Sequence, residues 1–282
     1  MFKKKKEEIP QYINSPLNNP MKNYAVYIMD KGESFLVHLI TFIIGGLAGL
    51  IFYGGLFKSD GYATMATYIS NAVVFVIVGF FGMRFLTPMY VDKKRNDQKN
   101  KIKTQFRDML ESLATSFSTG SNATRAVESA LADLKLQYSD DADIVKEMQE
   151  IVDGMNQNIS LEVMMRNFGD RSGNEDIQSF ADVFEVCYRK GGNMSSVIHR
   201  THDVINEKIA VSDEIETKLT SNKMQHNVMS VMPIAVVAML RLTNESFATN
   251  FATPVGVIVN TIAIGVFVAA YKYGQKIVDI KG

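Results

Sequence analysis

The hydrophobic positions of this chain fall into two regimes. In four stretches they run almost unbroken: Phe35–Phe57, Gly61–Met83, Met224–Leu240 and Ser246–Tyr271 contain no Asp, Glu, Lys or Arg. A helix rises about 1.5 Å per residue, so about 20 residues cross a hydrocarbon layer of about 30 Å. The first, second and fourth stretches exceed that length. The third is the shortest, with 17 residues and with Gln225, His226 and Asn227 near its start. Four membrane-spanning helices are predicted. Between them, from Asp92 to Lys223, there is no proline and the apolar residues recur at helical spacing. Ile102, Phe106, Met109, Leu110, Leu113 and Phe117 share one face, which Gly120 ends. Five more stripes follow, led by Ala123, Ile144, Leu161, Ile177 and Met194. Ser139 to Asp141, Ser160 and Asn174 stand where N-caps are expected, and Gly191 and Gly192 break the fifth helix. No alternating run is long enough to predict a strand.

The expected class is therefore all-α: an integral membrane protein with four transmembrane helices and a cytoplasmic six-helix bundle. Residues 1–34 form an N-terminal segment, 35–91 and 224–273 are two pairs of spans, 92–223 is the helical domain and 274–282 is a tail. Orientation follows from the basic residues. Lys58 and Arg241 are the lone cations of the two short loops. Lys3 to Lys6, Lys22 and Lys31 precede the first span; Arg84 and the cluster Lys93 to Lys103 follow the second; Lys272, Lys276 and Lys281 follow the fourth. Basic flanks stay in the cytoplasm, so both termini and the domain are expected inside a cytoplasmic membrane. The Lys3–Lys6 run leads into Glu7, Glu8 and Pro10 instead of an apolar core, unlike a cleaved signal peptide.

The 282 residues carry 30 basic and 30 acidic side chains, and this balance argues against a nucleic-acid partner. The charge is unevenly spread. Asp92–Lys103 holds six basic and two acidic residues, suited to anionic lipid heads. Thr104–Lys223 holds 12 basic and 21 acidic, a net of −9. That excess suits either a solvated surface or one selecting a basic partner. Glu147, Glu150 and Asp153 are its candidate docking residues. The single cysteine, Cys187, excludes an internal disulfide and reads as helix packing.

Catalytic chemistry is not visible. No P-loop, dinucleotide-binding glycine motif, H-E-x-x-H or nucleophile elbow occurs. His199 and His202 lie three apart without a further ligand in the pattern, and Asp140, Asp141 and Asp143 lack the glycine and distal glutamate of an EF-hand loop. No catalytic residue, cofactor or metal is expected. In the spans, His38 reads as polar packing and Asn260 is the main polar candidate near the midplane. Gly45, Gly49, Gly79 and Gly82 read as close-packing positions and Pro233 as a kink.

Two segments resemble a known family. FRDMLESLATSFSTGSNATRAVESAL (Phe106–Leu131) is similar to the opening of the F domain of type II secretion and type IV pilus platform proteins. FADVFEVCYRKGGNMSSVIHRTHDVI (Phe180–Ile205) is similar to its second half. The motif turns fall at Gly120, Asn122, Gly191, Gly192 and Asn193. The two segments also echo each other, as two helical hairpins with glycine turns would. One domain with two spans on each side resembles the tight-adherence (Tad/Flp) pilus platform proteins, TadB-like or TadC-like, with TadB-like preferred. The resemblance implies a non-enzymatic membrane platform that meets a hexameric secretion ATPase, a second platform subunit or its own copy, and pilin subunits. A small transporter or channel is the competing class; it would need flux and a role for Asn260. A membrane sensor would need a larger outer domain than the two short loops provide.

Overall fold

The computed structural model describes residues 10–57, 62–118 and 121–278. The N-terminal part is extended. β1 (Tyr12–Asn14) and β2 (Pro20–Lys22) pair antiparallel in the register Tyr12↔Lys22, Ile13↔Met21 and Asn14↔Pro20. The remaining elements are helices: α1 (Lys31–Tyr53), α2 (Met65–Ser118), α3 (Ala123–Gln137), α4 (Asp143–Asn156), α5 (Leu161–Ser172), α6 (Glu175–Lys190), α7 (Met194–Thr243), α8 (Glu245–Phe251) and α9 (Pro254–Val278). The hairpin corrects the expectation of no strand. Its three-residue strands are too short to show alternation, and its turn contains Asn18 at φ 65°, a left-handed position that asparagine tolerates.

The chain divides into two units. One combines the described residues up to Ile28 with Val91–Val211; the other combines Met29–Tyr90 with Ser212 onward. Both divisions after Ile28 fall inside helices: α2 is one helix of 54 residues and α7 one of 50. The expected domain boundaries at 92 and 223 are therefore not breaks in secondary structure. Pro88 and Pro233 are both accommodated within their helices.

The helical unit is built around α2, whose Ile102, Phe106, Met109, Leu110 and Leu113 are buried. Phe106 meets Phe180 edge-on at 5.3 Å and Phe168 at 6.0 Å between ring centroids. Asparagines set several helix starts. Asn122 accepts from the Arg125 N–H at 2.9 Å, Asn174 from Asp176 and Ile177, and Asn193 from Ser196 at 3.0 Å. Each satisfies a backbone donor that the first turn leaves free. Ser160 stands at the start of α5 without a side-chain cap bond, and α4 begins after Ala142, not at a Ser139–Asp141 cap. Gly173 (φ 59°) and Gly191 (φ 68°) close α5 and α6 in the left-handed conformation that favours glycine.

In the membrane unit, α1, the apolar start of α2, Met224–Thr243 of α7 and Pro254–Gly274 of α9 are long and apolar enough to span a bilayer. α1 begins at Lys31, ahead of the expected Phe35, because Asp30 caps it. α1 and α2 approach closely at glycines. A Cβ on Gly82 would lie 2.8 Å from the Gly45 Cα, and one on Gly49 would lie 2.8 Å from the Val78 Cβ. Gly79 lies beneath Phe42. α8 occupies the loop between the last two spans.

Candidate functional site

The most constrained polar cluster lies where the N-terminal segment meets α4 and α5. Arg171 and Glu147 are 3% and 1% exposed. The guanidinium donates from Nη1 to Glu147 Oε1 (2.8 Å) and from Nη2 to Oε2 (2.6 Å), a bidentate pair. Two further donors reach Asn167 Oδ1 and the Lys22 carbonyl. Tyr24, 1% exposed, donates its hydroxyl to Glu147 Oε1 at 3.0 Å, and its N–H donates to the Arg171 carbonyl at 2.8 Å. Beside it, Glu150 accepts from Ser15 Oγ at 2.5 Å and from Asn19 Nδ2 at 3.2 and 3.0 Å. Asp143 pairs with Lys22 at 3.1 Å and Lys101 at 3.7 Å. Burial pushes the Glu147 carboxyl above the ordinary carboxylate range, with Arg171 and Tyr24 pulling the other way. Burial, then the negative charge of Glu147, raises the Tyr24 hydroxyl far above an ordinary phenol.

This cluster corrects the docking residues. Glu147 and Glu150 face inward: residues 10–28 cover them, Arg171 and Tyr24 bond the Glu147 carboxylate, and Ser15 and Asn19 bond that of Glu150, so neither is presented at the surface. Asp153 stays half-buried and accepts from Gln149 at 2.9 Å. Asp143 is held by two lysines, so the three aspartates do not gather around a cation. Arg171, Tyr24, Ser15 and Asn19 are the residues that sequence reasoning missed. One signal was present: Arg171 continues the Leu161, Met164, Met165, Phe168 stripe, which places a cation on a buried face.

The motif turns lie at one end of the helical unit. Ser118 Oγ, at the end of α2, and His199 Nε2, near the start of α7, are 3.0 Å apart, so the end of α2 lies beside the start of α7. Asn122, Gly191, Gly192 and Asn193 are exposed there. Gly120 lies outside the described residues. His202 contacts Asp203 at 3.4 Å, away from any metal-like grouping; among the described residues, no three His, Cys, Asp or Glu side chains come together. Cys187 is half-buried next to Gly192.

Two of the exposed acidic residues lie at the α3–α4 corner. Asp140 and Asp141 are exposed, Asp141 with 95% of its side chain free beside Lys146. Leu136, at the end of α3, is 88% exposed, the highest value for a large apolar residue among the described residues of the helical unit.

In the membrane unit the last carbonyls of α1 receive donors from other helices. Arg241 donates to the carbonyls of Leu50, Ile51 and Gly54, and stacks over Phe251 at 5.5 Å. Asn260 Nδ2 donates to the Phe52 carbonyl at 2.6 Å. α1 has no basic residue in its last turn, so Arg241 provides the positive charge that a helix C-terminus favours. Asn260 is thereby committed to a backbone group. His38 is likewise bonded within its own helix, to Ser34 O at 2.6 Å.

The architecture defines an all-α membrane protein with a helical unit between two pairs of spans. Residues 109–242 match the family described as type II secretion system (T2SS), protein F. The match runs from the last turns of α2 through α3–α6 to the end of α7. It leaves out the N-terminal segment, α1, most of α2, α8 and α9. No curated protein and no solved structure matches the chain.

Proposed function

We propose that this protein is the platform of a type II secretion-like or Tad/Flp-type pilus machine in the cytoplasmic membrane. The helical unit lies in the cytosol with both termini, docks a hexameric secretion ATPase, and passes its motion to spans that receive pilin subunits. A second platform subunit or another copy of the chain completes the assembly. The observation that carries this reading is the family match over the helical unit and third span of a multi-pass protein. The chain offers no recognisable nucleotide motif, so the reading draws its energy from a partner.

The docking surface is assigned to the α3–α4 corner. There Leu136 supplies an apolar anchor, and Asp140 and Asp141 supply charge for a basic partner surface. The test is co-purification of the ATPase from cells with Leu136→Ala, and with Asp140→Lys and Asp141→Lys together. Loss of the ATPase from a protein that still extracts and migrates like wild type supports the surface; retention at both low and high salt contradicts it.

A further inference from the structure

A cavity of about 810 Å³ lies within the membrane unit. The end of α1, α7, α8 and α9 line it as a groove that is open on one side, with Phe52, Pro233, Val237, Phe251, Ala263 and Phe267 on its wall. Its interior is apolar because the polar side chains nearby are turned to other work. Asn260 gives its amide to the Phe52 carbonyl, and the Thr253 hydroxyl donates to the Asn250 carbonyl at 2.8 Å while accepting from Gly256 N–H. At the α8 end the amide of Asn250 is exposed and makes no hydrogen bond among the described residues. The site is thus a hydrocarbon-lined slot with one polar group at its mouth.

We propose that this slot is a lipid site that holds an acyl chain of a membrane phospholipid, with the ester region at Asn250. Three considerations select this occupant. The wall is formed by helices that span the bilayer, where hydrocarbon is the surrounding solvent. The volume lies within the range of about 300–1,000 Å³ that fits one small ligand. A spanning helix about 10 Å wide and 30 Å long occupies roughly 2,000 Å³ or more, so it would lie against the groove without filling it, whereas an acyl chain fits inside. An empty slot would also forfeit the dispersion contacts of its lining atoms. The proposal needs only the spans, and holds whatever the helical unit docks.

The chain contains no tryptophan, so one introduced indole reports alone. Phe267→Trp places it on the cavity wall; Val266→Trp places it on the neighbouring position, where Val266 is 65% exposed. Each variant is reconstituted with bromine-labelled phosphatidylcholine and then transferred to detergent. A held acyl chain leaves Phe267→Trp quenched after transfer, while Val266→Trp recovers its full emission. Native mass spectrometry of wild type should show a single retained lipid per chain, absent from Ala263→Phe, whose ring fills the slot. Val237→Phe provides a second filled variant should Ala263→Phe fold poorly. Equal recovery at both tryptophans, an unchanged lipid mass in the filled variants, or a retained apolar peptide in place of lipid would each overturn the proposal.

Discussion

The two units solve the same problem, covering apolar helix faces, in different ways. In the helical unit the chain covers itself. The α2 stripe, the phenylalanine cluster and even a carboxylate–guanidinium pair are enclosed, and residues 10–28 complete the closure. In the membrane unit, among the described spans, α1 and α2 are packed to backbone contact at their glycines. There 28% of the α1 apolar window is buried within the chain, against none of the Met224–Thr243 window. Water drives the first kind of closure, because exposed apolar surface costs about 25 cal/mol per Å². Hydrocarbon exerts no such drive, so spans associate where small residues allow close approach or polar groups bond from one helix to another. Gly45, Gly49, Gly79 and Gly82 supply that on α1 and α2. α7 and α9 have Met, Val and Ile at their surfaces and leave a cavity. Their outer faces are therefore the apolar surface left open in this chain.

The contrast can be broken most severely at the buried pair. Arg171→Met strands the Glu147 carboxyl and frees the Lys22 carbonyl; removing one partner of such a pair costs about 3–5 kcal/mol. Thermal melting of the full chain in detergent should drop sharply, with proteolysis opening first in residues 10–28. Adding Glu147→Leu should restore part of the loss, since a matched apolar pair has no buried charge. Next in size is Gly82→Leu. Its side chain meets the Gly45 backbone, and overpacking of about 1–3 kcal/mol should appear as a lower melting temperature. Ala263→Leu, on the loosely packed pair, should stay within about 0.5 kcal/mol of wild type. Comparable losses at Gly82 and Ala263 would erase the distinction between the two pairs.

A pH-dependent effect concerns Tyr138, whose hydroxyl donates to Asp108 on α2. Burial and Asp108 push it from 10.0 up to about 12. Its folded-state value is raised, so its contribution is complete below pH 10 and fades as pH rises toward 12. The stability gap between wild type and Tyr138→Phe should close over that window in pH-dependent melts.

Much of this architecture can be read from residue spacing. The stripes from Ile102 to Phe184 fall on helices, and Asn174 caps α6, because helical period and capping are local properties. The N-terminal segment was opaque for the opposite reason. Its strands are three residues long, and Tyr24 finds Glu147 123 positions away in sequence. Glu147 and Glu150 look like solvent residues in α4 because their partners cannot be inferred from nearby sequence. Arg241 is similar: as a loop cation it looks like a topology signal, whereas in the fold it serves the α1 C-terminus.

The platform reading is tested most directly by a photo-reactive amino acid at position 136 in cells that assemble the machine. It predicts an adduct between this chain and a nucleotide-hydrolysing secretion ATPase, lost when Asp140 and Asp141 are reversed to lysine. Adducts only with lipid or with proteins outside the membrane would contradict it.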